Sequence, residues 1–470
     1  LLKAGFWDSE KRNIHPQRSI NWTSLLGFAH NPSEQNQASM GKHARFHLAH
    51  METAMDISRR KLIGTASGLT VASSMFSMPA WADNPIKIGM SMPQTGPLGA
   101  GGKAALLALK MWVEDVNGRG GLLGRKIDFT AYDDQGNPAN TPGIYSKLLD
   151  VDKVDLLIAP YATVPTAPIM PLVKQRGKLL MGNFSFQVNA KVKHDMWFNN
   201  APWNDADGWF AGFLQAAKDS NSKTIAICAS DQEFAQNLAN GVRSGLARTG
   251  LSSVYDQNYP PTTKDFSSIV RAIRSTKPDV VFVASYPGDS VGIVNAAHEI
   301  GLGPSVKIFG GGMVGLQFTP VMESLGSKLN GIINYNTYVP GMPLKGIDDF
   351  FKRYTAKAIA EKVDPLGYYL PPFNYATGQM LEQAINASKS IDDKAIAAYL
   401  RSNTIDTIVG PVKFDAGGER ANQRVIMAQF RGVKDKDLEQ FRSPQRQVII
   451  HPSADKTGDM IYPYEQARKA

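Results

Sequence analysis

Residues 86–116 read IKIGMSMPQTGPLGAGGKAALLALKMWVEDV, and this stretch decides the fold. Residues 86–92 form a short apolar run of strand length. A Pro/Gly-rich loop follows over 93–102. Residues 104–116 then place Leu106, Leu109, Val113 and Val116 on one helical face. Strand, loop and helix recur in this order. Strands are predicted over 127–133, 155–159 and 178–182, with helices over 141–151 and 166–176. The pattern pauses near 199–204 and restarts. Strands follow over 224–230, 253–259, 279–285 and 306–310, separated by helices over 234–248, 265–275 and 290–300. Such alternation builds a parallel sheet covered on both faces. Two runs of four strands predict an α/β chain with two similar Rossmann-like lobes.

The chain continues past the second run. Residues 331–337 read as extended, and 348–359, 375–387 and 392–401 as helices. Residues 412–415 and 425–430 read as a late antiparallel pair around the turn Ala416-Gly417-Gly418. This part is expected to cross back, adding helices to the first lobe and a strand pair to the second, so that several crossings form a hinge. The expected division is 83–202 with 336–408 for the first lobe, 203–335 with 409–450 for the second, and 451–470 as a C-terminal tail.

Composition limits the function classes. The chain has 470 residues, about three domains' worth at ~150 residues each. Its 43% hydrophobic and 20% charged residues argue against a disordered chain or a multi-span membrane protein. The net charge of +9 is uneven, with nine Lys/Arg against five Asp/Glu before residue 83. The surplus on the rest is too dilute for a nucleic-acid footprint. A single cysteine, Cys228, rules out an intramolecular disulfide framework and a cysteine-rich metal site.

Residues 1–54 show no sustained apolar period and read as a leader or an upstream extension, with Met55 as the expected start. Ser58-Arg59-Arg60-Lys61-Leu62-Ile63 opens a moderately apolar stretch that ends Ala80-Trp81-Ala82, an A-x-A cleavage pattern. The paired arginines resemble a twin-arginine export signal; an ordinary secretory signal is the alternative. Either way the mature protein is expected to begin near Asp83, outside the cytoplasm. No other stretch of ~18 apolar residues exists, so a soluble mature chain is expected.

Catalytic motifs do not assemble. Gly310-Gly311-Gly312-Met313-Val314-Gly315 fits G-x-G-x-x-G, but the acidic residue due about 20 positions on is missing, so it reads as a tight glycine loop. There is no Walker A sequence. His194, His298 and His451 have no nucleophile beside them in sequence. Cys228 lies in an apolar strand and reads as a buried, inert thiol. Beyond residue 82 metal-ligand spacings are absent, and Asp133-Asp134 reads as loop chemistry at a strand end. No enzymatic activity, cofactor or metal is expected. What remains is a set of loops at strand C-termini, where open α/β sheets bind ligands. These carry residues 97–101, including Leu98; Tyr161-Ala162-Thr163; Asn183-Phe184-Ser185-Phe186; residues 231–234; Tyr286-Pro287-Gly288-Asp289; and Gly311-Gly312-Met313. Their small residues, hydroxyls and aromatics suit small-molecule binding without chemistry.

Several motifs, taken in order, resemble the periplasmic binding proteins of branched-chain amino acid ABC importers, the leucine/isoleucine/valine-binding type. They are Ile86-Lys-Ile-Gly with Thr95-Gly-Pro-Leu98, Asn117-Gly-Arg-Gly-Gly-Leu-Leu-Gly124, Tyr132-Asp-Asp134, Lys264-Asp-Phe-Ser267, His298-Glu-Ile-Gly-Leu302 and Gly410-Pro-Val-Lys-Phe-Asp415. The resemblance covers about 86–430. It implies a type I periplasmic binding fold: a two-lobed clamshell, monomeric, that closes on a ligand and delivers it to a membrane permease. Carried over residue by residue, Thr163 takes the place of the family's carboxylate-binding hydroxyl, and Ser185, flanked by Phe184 and Phe186, that of the next loop. Phe234 and Tyr286 match the second-lobe aromatics. The expected ligand-binding set is Leu98, Tyr161, Ala162, Thr163, Phe184, Ser185, Phe234, Tyr286, Gly312 and Met313. The family's amino-acid members place an acid for the ligand ammonium near Gly312, where this chain has glycines. Asp289, Glu233 or Asp231 are the possible substitutes, and an aromatic or aliphatic carboxylate is the expected ligand. A ligand sensor of the same fold, without a transport role, is the alternative function.

Overall fold

The structure, a computed structural model, describes residues 84–203, 206–422, 424–435 and 437–470. The expected leader, export signal and cleavage position lie outside the described residues. In the first sheet, β1 (Ile86–Ser91), β2 (Ile127–Tyr132), β3 (Leu156–Tyr161), β4 (Leu180–Asn183) and β5 (Trp197–Asn199) stand in the order β2-β1-β3-β4-β5. Every pairing is parallel. The four predicted strands are present to within two residues. The additional β5 is three residues long, too short to give a periodic signal.

The second sheet starts with β6 (Thr224–Ser230), β7 (Ser252–Tyr259), β8 (Val280–Ser285), β9 (Ile308–Met313) and β10 (Ile333–Asn336). After a separate ribbon of β11 (Ile405–Thr407) and β12 (Gly410–Val412), β13 (Ile426–Phe430) and β14 (Gln447–His451) return to it. Its order is β14-β13-β10-β9-β8-β6-β7, parallel from β7 to β10 and antiparallel at β13 and β14. The expected pairing of 412–415 with 425–430 is corrected. Val412 pairs with Ile405, and β13 is buried between β10 and β14. A central position satisfies both edges of β13, which a lone hairpin would leave open. β3, β8 and β9 are buried along their whole length, which accounts for their unbroken apolar sequence. β7 is largely exposed, as an edge strand with polar residues should be.

The described chain passes between the sheets three times: after β5, after β10 and after β12. The first passage leads into the helix Ala206–Asp219, which the sequence reading missed; it lies against β9, β10, β13 and β14. The second sends the helices Ile347–Glu361 and Pro371–Ser388 back onto the first lobe, where both lie on the helix Gly99–Gly118. Gly378 makes the closest approach there: a Cβ at 378 would stand 2.1 Å from the Trp112 indole. That indole donates to Glu382 at 3.1 Å. The segment after β14 also closes on the second sheet, with Tyr464 buried 5.3 Å from the Phe309 ring. Among the described residues no helix is long and apolar enough to cross a membrane.

Both strand orders reverse direction once, between β1 and β3 in one sheet and between β6 and β8 in the other. A doubly wound sheet opens a crevice at the carboxyl ends of such strands. Leu98, Tyr161–Thr163, Phe234 and Tyr286 follow these four strands.

Candidate functional site

In the first lobe the β1 loop is fastened by the two aspartates after β2. Asp133 accepts from Gln94 N at 2.9 Å and Thr95 Oγ1 at 2.6 Å, and Asp134 accepts from Ser91 Oγ at 2.6 Å. This sets Leu98, largely buried, at the start of Gly99–Gly118. After β3, Ala162 has φ +81° and Phe184, after β4, has φ +58°. Non-glycine residues in this region store strain and recur at functional sites. The turns they make bring the two loops together. Thr163 Oγ1 accepts the Phe186 N–H at 3.0 Å and retains its own hydrogen to donate. Ser185 differs: its hydroxyl donates within the lobe, to Thr166 Oγ1 at 2.9 Å with Ala162 O at 3.3 Å. Of the two hydroxyls, Thr163 is the one left with a hydrogen to offer.

The aromatic residues of both lobes meet in one buried layer. The Phe184 ring lies 4.9 Å from Trp203, 5.1 Å from Tyr369 and 4.9 Å from Phe373, all edge to face. Phe186 stands 6.3 Å from Phe234, and Phe234 stands 6.0 Å from Tyr286. The Tyr335 hydroxyl donates to Tyr369 at 3.1 Å, and Tyr161 contacts Tyr369 at 6.4 Å. Trp209 touches Phe186, Phe234 and Tyr335 at once. The structure therefore brings Tyr161, Phe184, Phe234 and Tyr286 into one layer. It adds Trp203, Trp209, Tyr335, Tyr369 and Phe373, which sequence reasoning missed. The available signal was aromatic density in segments joining the lobes, with Trp203 and Trp209 in one and Tyr368-Tyr369 and Phe373 in another.

Gly312 and Met313 lie elsewhere in kind. Gly312 is inside β9, opposite Ala284; a Cβ there would stand 2.9 Å from Val283 O and 3.2 Å from Leu238. The glycine run serves close packing, and no acidic side chain fits. Gly310 and Gly311 take φ +134° and +97°, as a tight glycine segment requires. Met313 is buried, and its backbone is clamped by Asn334, which accepts from N at 3.0 Å and donates to O at 2.7 Å. Of the three possible substitute acids, Glu233 and Asp289 lie near the Tyr286 hydroxyl. Asp231 and Glu233 are exposed, and Asp289 accepts from Tyr259 Oη at 3.2 Å.

The electrostatics favour hydrogen-bond donation. Trp203 Nε1, Trp209 Nε1 and the Tyr286 hydroxyl are buried and, among the described residues, have no hydrogen-bond partner. A buried polar group without a partner costs about 1–3 kcal/mol. Burial, with Glu233 and Asp289 nearby, raises the Tyr286 hydroxyl above its ordinary value, so it stays a neutral donor. Cys228 is in the middle of β6, its thiol pushed up to about 12 by burial, with Asp289 adding to the shift. Among the described residues no three His, Cys, Asp or Glu gather as a metal site.

Comparison with known proteins agrees with this architecture. A family model described as periplasmic binding protein matches residues 85–437. The Leu/Ile/Val-binding protein of Escherichia coli K12 is 25% identical over 350 residues, covering 73% of this chain and 90% of that protein. Leu/Ile/Val-binding protein homolog 8 of Brucella abortus is 27% identical over 384 residues, covering 78% and 92%. Among solved structures, the leucine binding protein of Thermotoga maritima superposes with TM-score 0.65 at 18% identity, covering 74% of this chain and 96% of that one. A solute binding protein of R. palustris in complex with benzoate gives 0.66 at 18% identity, covering 80% and 98%. The fold is the type I periplasmic binding fold expected from the sequence, and the chain belongs to the periplasmic binding protein family.

Proposed function

We propose that this chain is an exported solute-binding protein that captures a small carboxylate or amino-acid-like ligand between its lobes and delivers it to the permease of an ABC importer. The observation that carries the reading is the meeting of loops at the carboxyl ends of strands of both sheets in one aromatic layer, with Phe186 of one lobe 6.3 Å from Phe234 of the other. Thr163 supplies a hydroxyl donor at the first-lobe side, and Tyr286 supplies one at the second. Relatives support it: those in Escherichia coli are named for leucine, isoleucine and valine binding, and the R. palustris protein holds benzoate. The ligand is held and released unchanged.

The test is direct. Exported protein is denatured after purification, and the released solute is identified by mass spectrometry. The solute is then titrated back in a thermal-shift assay, since a ligand that binds only the folded state raises its stability with the logarithm of concentration. A saturable shift is expected. Absence of both a retained solute and any shift across amino acids, amides and carboxylates would sink the reading. N-terminal sequencing of the exported form should begin Asp83-Asn84-Pro85 if the export assignment holds.

A further inference from the structure

The chemistry of the ring layer narrows the ligand. Trp209 is at its centre, 4.0 Å from Trp203, 4.6 Å from Tyr335, 5.6 Å from Phe234 and 5.7 Å from Phe186. Phe186 belongs to a first-sheet loop, and Phe234 and Tyr335 belong to the second lobe. Both indoles are essentially fully buried, and neither N–H has a hydrogen-bond partner among the described residues. An indole N–H can only donate, and buried polar groups are nearly always paired. The complementary group is therefore an acceptor.

No carboxylate accepts from either indole among the described residues; Glu233 and Asp289 stand by the Tyr286 hydroxyl instead. Asp289 is engaged by Tyr259, and Asp231 and Glu233 are exposed. The Asp364 carboxylate already accepts from Thr319 N, Thr319 Oγ1, Leu366 N and Gly367 N. Position 312 has no room for an acid. Ring faces attract cations, but here rings meet largely edge to face, so neighbours cover those faces. An ammonium would lose its hydration without a counter-charge.

We infer that Trp203 and Trp209 determine specificity: their indole N–H groups receive the carboxylate of a small ligand with an apolar body and no ammonium. The inference rests on the capture of a ligand between the lobes, proposed above.

The test uses calorimetric titration of the full chain with benzoate, with leucine, and with 4-methylpentanoate, which is leucine without its amine. Benzoate or 4-methylpentanoate should bind at least a hundredfold more tightly than leucine. Trp209→Phe and Trp203→Phe keep a ring and remove the N–H; each should weaken carboxylate binding about tenfold or more, as expected for a hydrogen bond to a charged group. Phenyl is smaller than indole, so each change also leaves a cavity and the unliganded melting temperature should fall by a few degrees; the loss of affinity is the deciding readout. A lower melting temperature with unchanged affinity would mark a merely structural role and overturn the inference. Leucine binding as tightly as the two acids would overturn it too, while leaving the solute-binding reading intact. If none of the three compounds binds and no retained solute is found, both fall. Should Trp209→Phe not fold, Trp203→Phe decides by the same criteria.

Discussion

Thr163 Oγ1 satisfies a buried backbone N–H while keeping a hydrogen for a ligand, so a substitution there has two separable effects. Thr163→Val should lower stability by about 1–3 kcal/mol, read as a lower denaturation midpoint, because the Phe186 N–H loses its acceptor. It should also weaken ligand binding roughly tenfold to a hundredfold in a titration. Thr163→Ser should restore most of both. Gly312 is the reverse case. A Cβ at 312 meets Val283 O and Leu238, so even Gly312→Ala should destabilise the fold by about 1–3 kcal/mol in a melting curve. Thr163, Phe234 and Tyr286 were legible in the sequence because each follows an apolar run that announces a strand end. Trp203, Trp209 and Tyr369 were not. Apart from the contacts of Trp209 with Trp203 and Phe210, their ring neighbours come from other chain segments, and no local period records that proximity.

Local pattern served strands well and crossings poorly. The apolar runs of β1 to β4 and β6 to β8 stood out, whereas β5 is three residues long, β14 begins and ends on the polar Gln447 and His451, and the helix Ala206–Asp219 begins beside the pause. The last crossing before β13 also hides a titrating group. Glu419 is half-buried against β5, accepting from Trp197 Nε1 at 2.9 Å and Asn199 Nδ2 at 2.8 Å. Asn199 Nδ2 in turn donates to Ser185 O, which ties Glu419 to the loop after β4. Burial raises the Glu419 carboxyl to about 7, against the two hydrogen bonds and with help from Asp415. Lys193, His194 and Asp195 line the cavity beside it. The folded protein thus holds a proton that the unfolded chain releases near 4.5. Stability from this group is full below that value and is lost as pH rises through about 7, by up to ~3 kcal/mol. Glu419→Gln should therefore flatten the fall in melting temperature between pH 5 and 8. An unchanged slope would mean that the carboxyl titrates normally.

At the scale of the whole molecule, the lobes are joined by a latch as well as by the ring layer. Thr319, just after the second-sheet strand β9, donates through N at 2.9 Å and through Oγ1 to Asp364, whose carboxylate is also held by Leu366 N and Gly367 N. Phe318 beside it reaches the helix Gly99–Gly118, where a Cβ on Gly101 would stand 2.8 Å from its ring. These contacts belong to the form in which the lobes touch, so they bias its population. Thr319→Val should leave the ligand-contacting residues untouched, yet weaken apparent affinity several-fold and enlarge the radius of gyration in solution scattering. Equal affinity and equal size would show that the latch carries no bias. The same geometry gives the molecule an optical handle. Trp203 and Trp209, with centroids 4.0 Å apart and planes tilted by 46°, are close enough for their electronic transitions to couple. Two coupled, skewed chromophores produce a paired, opposite-signed band in circular dichroism. Any parting of the lobes that moves one indole relative to the other alters that band, so closure could be followed in real time on the unlabelled protein.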